Sequence, residues 1–148
     1  MPTAKDIMSR NVVTVKKNTT IKELSKIFVE KKVNGVPVVD DEGNVVGIVT
    51  QGDLIEQNKN LHIPTVIALF DAVLFLESEK KFESEVKKLT GTRVEDIYQK
   101  KVVTVPPDMD ASDIVTVMAE KEIHTLPVVD GGRLVGVIGK LDLIRSMS

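Results

Sequence analysis

Cysteine and tryptophan are both absent from the chain, and its aromatic side chains are four phenylalanines and one tyrosine. Without cysteine there is no disulfide, thiolate metal ligand or thiol nucleophile, and a reducing cytoplasm is the expected compartment. So few aromatic rings disfavour the stacking platforms that bind single-stranded nucleic acid. Charges of both signs are interspersed and sum to −2, which predicts no basic face for nucleic acid or anionic lipid.

Long apolar runs are missing as well. The most apolar window, VIALFDAVLFL at 66–76, contains Asp71. A helix of that length extends about 16 Å, against roughly 30 Å of hydrocarbon in a bilayer, so no membrane insertion is expected. The first ten residues, MPTAKDIMSR, lack the apolar core of a secretory signal.

The chain contains an internal duplication, with an offset of 90 residues that becomes 89 after a turn one residue longer in the first copy. The matching pairs are DIMSRNVVTV (6–15) with DIYQKKVVTV (96–105), EKKVNGVPVVD (30–40) with EKEIHTLPVVD (120–130), and GIVTQGDLI (47–55) with GVIGKLDLI (136–144). Two copies of about 50 residues indicate a pseudo-symmetric pair, because a solenoid needs three or more repeats.

Each copy predicts the order β-α-β-β-α. VVTV is a short β-branched strand, a capped amphipathic helix follows, two apolar runs around an acidic turn form a hairpin, and a last helix starts near Gly52 or Lys140. The predicted caps are Thr20 with Glu23 and Asp110 with Asp113, and the predicted apolar faces are Ile21, Leu24, Ile27 and Phe28 in the first copy and Ala111, Ile114, Val117 and Met118 in the second.

We therefore predict an α/β fold in which two β-α-β-β-α units pack sheet to sheet, because helices on one face of a small sheet leave its other face uncovered. The units are expected at 1–57 and 93–148, separated by a helical connecting segment at 58–92. This apolar segment either adds to the core or forms a subunit interface or partner-docking helix.

The segments DIM…VVTV, NGVPVVDDEGNVVGIVTQGDL and HTLPVVDGGRLVGVIGKLDL resemble a tandem pair of cystathionine-β-synthase-type (CBS) domains, also called a Bateman module, over roughly 4–57 and 93–147. The resemblance implies a pseudo-twofold pair with two clefts that hold adenine-containing ligands: AMP, ADP, ATP or S-adenosylmethionine. It also implies a homodimer of modules.

The sharpest local motif is Thr50-Gln51-Gly52-Asp53. Its simplest explanation is a capping box at a helix N-terminus. Alternatively, the carboxylate accepts both hydroxyls of a ribose while the Thr50 hydroxyl and free N–H groups face a phosphate. The resemblance favours the second interpretation, because Asp53 falls on the ribose-binding position of the family.

In the second copy the motif becomes Gly139-Lys140-Leu141-Asp142, so the hydroxyl needed for reciprocal capping is missing. An acid in the first helical turn still gains about 0.3–1 kcal/mol from the helix dipole. Lys140 supplies a cation beside accessible backbone N–H groups. We expect the second cleft to be altered, not lost.

His124 stands opposite Asn34, and the resemblance implies that it points at nucleotide phosphates, whereas the simpler alternative is a structural histidine. Pro37 and Pro127 are tolerated at strand starts, and Thr14 and Thr104 suit strands, without any ligand. The candidate ligand-binding set implied by the resemblance is Thr14, Asn34, Gly35, Val36, Pro37, Thr50, Asp53, Thr104, His124, Thr125, Leu126, Pro127, Lys140 and Asp142.

Three functions remain open. The first is a sensor that binds an adenine nucleotide, changes the relation between its two copies and so regulates an unidentified enzyme or transporter, with no catalytic cofactor and no metal. The second is an enzyme, which finds little support because only His62 and His124 are available and no H-E-x-x-H or G-x-S-x-G motif occurs. The third is an interaction scaffold with unoccupied clefts.

Overall fold

The computed structural model of the protein describes residues 2–57 and 92–148, so the predicted helical connecting segment lies almost wholly outside the described residues. The described elements are α1 (Ala4–Ile7), α2 (Ile21–Lys31), β1 (Gly35–Val39), β2 (Val45–Thr50), α3 (Gln51–Gln57), α4 (Val94–Ile97), α5 (Ala111–Glu120), β3 (Thr125–Asp130), β4 (Arg133–Gly139) and α6 (Lys140–Met147).

Both predicted hairpins are present, as the antiparallel pairs β1–β2 and β3–β4. The VVTV strands are shorter than predicted, because each contributes one parallel bridge, Val15 to Val38 and Val105 to Val128. Pairing stops there for a local reason. The Lys16 N–H turns away to the Thr19 hydroxyl at 3.0 Å, and the next residue in the second copy is Pro106, which has no N–H to donate.

The capped helices follow the predicted chemistry closely. The Thr20 side chain accepts the Glu23 N–H at the start of α2, and Ile21, Leu24 and Phe28 are buried beneath it. In α5, Asp110 caps the Ser112 N–H, and Ile114 and Met118 are buried. The predicted apolar faces therefore form two cores, one under each hairpin.

The two short helices at 4–7 and 94–97 are exchanged between the copies. Gln99 and Ile48 form two backbone hydrogen bonds, of 2.8 and 3.0 Å, so the segment after α4 pairs with β2 of the first copy. Ser9 and Val137 form the matching pair at β4 of the second copy, at 2.8 and 3.0 Å. Accordingly, Val94 is buried in the first core and Ala4 in the second.

The two hairpins lie alongside each other, with β1 in contact with β3. At their turn ends, the Val45 N–H donates to the Gly132 carbonyl and the Leu134 N–H to the Gly43 carbonyl, both at 3.2 Å. The Arg133 guanidinium also donates to the Glu42 carbonyl at 3.1 and 3.2 Å. The turns are therefore joined directly, and the opposite ends of the hairpins face the candidate site.

Gly47 in β2 and Gly136 in β4 occupy equivalent positions, and the exchanged segments explain why both are glycine. A Cβ on Gly47 would lie 2.5 Å from the Gln99 carbonyl oxygen and would also meet the Tyr98 ring. A Cβ on Gly136 would instead meet the flexible side chain of Met8, 2.7 Å from its Cγ. Backbone cannot yield as a methionine side chain can.

We therefore expect Gly47→Ala to lower the free energy of unfolding by about 1–3 kcal/mol, and Gly136→Ala to lower it less. Urea denaturation of the two variants beside wild type measures the difference. Equal losses in both variants would show that the exchanged backbone at Gln99 does not restrict Gly47.

Candidate functional site

A cleft of about 690 Å³ opens between the two copies at the ends of the hairpins remote from their turns. This volume lies in the range of small-molecule sites. Three stretches of chain form its walls: the end of the first hairpin, the segment after α4 and the segment that joins α5 to β3. The lining residues are Asn34, Ile48, Thr50, Gly52, Gln99, Lys101, Val102, Val103, Lys121, Glu122, Ile123, His124 and Thr125.

Thr50 and Asp53 form a reciprocal capping box beside this cleft. The Asp53 carboxylate accepts the Thr50 N–H at 2.9 Å, and the Thr50 hydroxyl accepts the Asp53 N–H at 3.1 Å. Each side chain thus satisfies a backbone donor that the first turn of α3 would otherwise leave unpaired. The contacts predicted by the capping interpretation are therefore present. They leave further acceptor positions on the Asp53 carboxylate.

Gln99 is a neighbour of Asp53 that the sequence did not predict. Its side-chain Nε2 lies 2.8 Å from Asp53 Oδ1 and 3.1 Å from Oδ2, so the amide spans both carboxylate oxygens. The two residues are 46 apart in sequence and meet only because the segment after α4 pairs with β2. Asp53 is thereby held at the border of the cleft by a residue from the second copy.

The acid of the second copy has different partners. Asp142 Oδ2 accepts the Gly139 N–H at 2.7 Å, which keeps one half of the capping box, and Oδ1 accepts from Arg145 at 3.2 Å. The missing hydroxyl at Gly139 removes the other half, as the sequence predicted. Asp53 thus faces a neutral amide, and Asp142 faces a guanidinium.

Two lysines line the cleft. Lys101 and Lys121 lie in its wall together with His124 and Glu122, and the carboxylate of Asp53 lies at its border. No ion pair joins either lysine to another residue within 2–57 and 92–148. Lysine side chains in the wall of a cleft that form no ion pair are suited to an anionic ligand.

The sequence-predicted site residues fall into three groups. Asn34, Thr50, His124 and Thr125 line the cleft, and Asp53 contacts its lining residue Gln99. The second group is buried within the hairpins: Gly35, Val36, Pro37, Leu126 and Pro127. The third lies away from this cleft, with Thr14 and Thr104 exposed just before the bridges, and Lys140 and Asp142 at the start of α6. Their role in binding a ligand stays a prediction.

Two parts of the wall were not predicted from the sequence: Gln99 with 101–103, and 121–123. The sequence carries no signal for the second stretch, because the turn that positions it is made at residues that are neither glycine nor asparagine. Lys32 and Glu122 occupy equivalent positions after α2 and α5, and both have a positive φ, of 52° and 54°. Such a left-handed residue turns the chain sharply out of a helix. The residues on either side therefore reach the cleft.

No group of three or more histidine or acidic side chains that could hold a metal ion occurs among the described residues. Within the same part of the chain, no helix has both the length and the apolar character that crossing a bilayer requires.

The family model for the CBS domain matches the chain twice, at residues 4–60 and 94–148. The chain belongs to the CBS-domain family. The tandem CBS pair and its α/β fold, predicted from the repeat, are thereby confirmed. The crystal structure of the CBS domain of a CBS domain-containing membrane protein from Sphaerobacter thermophilus superposes with a TM-score of 0.78 at 27% identity, covering 98% of this chain and 87% of that one.

Two related CBS-pair structures contain adenine ligands. CBSX2 in complex with AMP has a TM-score of 0.75 and 25% identity, covering 99% of this chain and 96% of that one. The CBS domain pair of protein MJ0100, in complex with 5′-methylthioadenosine and S-adenosylmethionine, has a TM-score of 0.69 and 25% identity, covering 99% of both chains.

Among curated proteins, MJ1426 of Methanocaldococcus jannaschii is 30% identical over 97% of this chain and 89% of its own length. Other relatives are longer. The chain spans 59% of CBSX2 from Arabidopsis thaliana and 30% of MJ1404 from Methanocaldococcus jannaschii. A CBS pair is thus found both nearly alone and as part of a larger protein.

The two capping sites differ by one hydroxyl, and this difference is testable. Gly139 has φ −102° and ψ 174°, which any residue adopts, and a Cβ there would lie 3.7 Å from Asp142 Oδ2. Gly139→Ser should complete the box and raise the free energy of unfolding by about 0.5–1 kcal/mol.

The reverse substitution, Thr50→Gly, should lower the free energy of unfolding by a similar amount, measured by the same urea denaturation. A Gly139→Ser protein no more stable than wild type would contradict the capping geometry of α6.

Proposed function

We propose that this CBS pair is a regulatory module that binds an adenine nucleotide in the cleft beside Asp53 and catalyses no reaction itself. The observation that carries the proposal is that one cleft is built from both copies, so a ligand in it contacts both. A ligand that favours one relation between the copies shifts the population toward that relation. A partner enzyme or transporter that contacts both copies would respond to the shift.

The charge around the cleft supports a phosphorylated ligand over S-adenosylmethionine. Lys101 and Lys121 would attract the phosphates of AMP, ADP or ATP, and a protonated His124 would add to that attraction. S-adenosylmethionine has one carboxylate in place of the phosphates, and its positive sulfonium and ammonium groups gain nothing from these lysines. The AMP complex of CBSX2 and the adenosyl ligands of MJ0100 support the adenine part of the ligand.

Asp53 is the residue that we expect to bind the ribose. Its carboxylate lies at the start of α3 beside the cleft, and hydrogen bonds to a charged acceptor are among the stronger ones in proteins. Thr50 and Gly52 line the cleft at the same helix start, where backbone N–H groups favour an anion. Asn34 and Thr125 line it from the two hairpins, on the side where we expect the adenine.

An interaction scaffold is the alternative function, and one observation favours it. Four large apolar side chains on α3 and α6 are more than half exposed: Ile55, Leu141, Ile144 and Met147. The capping box at Thr50 and Asp53 also needs no ligand to explain it.

A catalytic role has less support. L-aspartate semialdehyde sulfurtransferase of Methanocaldococcus jannaschii is a 28% identical relative, but the chain spans only 22% of it.

Titration calorimetry with AMP, ADP, ATP and S-adenosylmethionine tests the sensor function. We expect binding of at least one nucleotide that is tighter than that of S-adenosylmethionine. Asp53→Asn should weaken nucleotide binding by about tenfold or more, since the amide cannot accept from both ribose hydroxyls. Asp142→Asn is the matched substitution in the second copy, and we expect a smaller effect because neither Asp142 nor its partner Arg145 lines this cleft.

Absence of heat with all four ligands would favour the scaffold and reject the sensor. A larger loss in Asp142→Asn than in Asp53→Asn would show that the second cleft is the main site. Release of phosphate from ATP during incubation would contradict the absence of catalysis.

The exposed apolar residues also lead us to propose a homodimer, because a second copy would cover them. Light scattering should then report about twice the 16.3 kDa of one chain. Ile55→Glu combined with Ile144→Glu should shift the protein to the monomer. Lys22→Glu on the exposed side of α2 changes the net charge equally and should not. A wild-type particle of 16.3 kDa would contradict the dimer.

A further inference from the structure

The contact between Gln99 and Asp53 is fixed by backbone, not by chance placement of two exposed side chains. The Gln99 N–H donates to the Ile48 carbonyl at 2.8 Å, and the Ile48 N–H donates to the Gln99 carbonyl at 3.0 Å. The side chain of Gln99 starts from this anchored position at the edge of β2. Its amide reaches both oxygens of Asp53, at 2.8 and 3.1 Å.

Counting acceptor positions shows what this contact prevents. A carboxylate offers about four lone-pair positions, two on each oxygen. On Asp53, Oδ2 accepts the Thr50 N–H and the Gln99 amide, and Oδ1 accepts the same amide. One position on Oδ1 is left. The two vicinal hydroxyls of a ribose need one acceptor on each oxygen, so they compete directly with the Gln99 amide.

The second copy provides a natural comparison. Ser9 occupies the position equivalent to Gln99 and forms the same pair of backbone hydrogen bonds, with Val137. No hydrogen bond joins its short side chain to Asp142 within the described part of the chain, where Asp142 accepts from Gly139 and Arg145. The backbone bridge therefore does not require glutamine. The long amide side chain is a particular property of the first cleft.

We propose that Gln99 is a specificity-determining residue that acts as an internal competitor of a ribose for Asp53. A ligand must displace the Gln99 amide before its hydroxyls can bind the Asp53 carboxylate. The loss of the amide's hydrogen bonds therefore offsets part of the free energy gained by the hydroxyls. The wild-type cleft consequently binds a ribose ligand less tightly than a cleft with Asp53 but without the Gln99 amide would. It also discriminates less between a ribose ligand and its deoxy analogue. This inference rests on the proposed function of the cleft.

The test compares Gln99→Ser with wild type by titration calorimetry. The ligands are whichever of AMP, ADP and ATP binds most tightly and the 2′,3′-dideoxy analogue of that nucleotide. Loss of the competing hydrogen bond should tighten binding of the ribose ligand by about threefold to tenfold. Binding of the dideoxy analogue should stay unchanged, because it has no hydroxyl to donate to Asp53.

A double-mutant cycle tests whether the effect of Gln99 on affinity depends on Asp53. In an Asp53→Ala background, Gln99→Ser should leave the affinity for the ribose ligand unchanged, since there is no carboxylate to compete for. Serine is the matched residue because Ser9 supports the same bridge, and thermal melting of each variant verifies that the fold is retained. A gain in affinity that persists without Asp53 would overturn the proposal.

The outcomes separate the two levels of inference. If no nucleotide binds wild type or Gln99→Ser, the proposed function fails and the competition fails with it. If nucleotide binds but Gln99→Ser leaves affinity for the ribose ligand unchanged or weakens it, the competition is wrong and the proposed function stands. Equal tightening of the ribose and dideoxy ligands would mean that Gln99 acts only by filling space, which also overturns the proposal.

Discussion

The crossed pairing of Gln99 with Ile48 and of Ser9 with Val137 is the interaction on which the rest of the molecule depends. Each pair joins a segment of one copy to the hairpin of the other. The same crossing buries Val94 in the first core and Ala4 in the second, and brings Tyr98 against Gly47 and Met8 against Gly136. Neither copy has a complete core without residues from the other, so the pair is one structural unit.

Duplication gives the protein two acids in equivalent surroundings, and divergence gives each acid a different partner. Asp53 meets an amide that crosses from the second copy, whereas Asp142 meets Arg145 of its own helix. Thr50 corresponds to Gly139, and Asn34 corresponds to His124. The equivalent buried positions of the hairpins stay aliphatic, with Val36 matched by Leu126, Val38 by Val128 and Val49 by Ile138. The cores of the two copies are therefore nearly alike, whereas the groups around Asp53 and Asp142 differ.

The sequence predicted the elements whose causes are local. The cap at Thr20, the buried face of α2 and both hairpins follow from periodicity and turn chemistry within a few residues. It did not predict that α1 and α4 are exchanged. The offset of 90 residues shows that Ser9 and Gln99 are equivalent positions, but not which of the two hairpins each residue contacts. Gln99 was missed as a neighbour of Asp53 for the same reason. Val36 and Pro37 are buried in the first hairpin, with Val36 in the first core, and their role in binding a ligand stays a prediction.

The joined turns at the far ends of the hairpins have a mechanical consequence. Val45 with Gly132, Leu134 with Gly43 and Arg133 with Glu42 fasten the two copies at one end, by main-chain and guanidinium hydrogen bonds. The crossed pair of Gln99 with Ile48 joins the copies a second time, beside the cleft. Each exchanged segment is thus tied to the hairpin of the other copy, so a shift of the first hairpin would carry Gln99 with it and a shift of the second would carry Ser9.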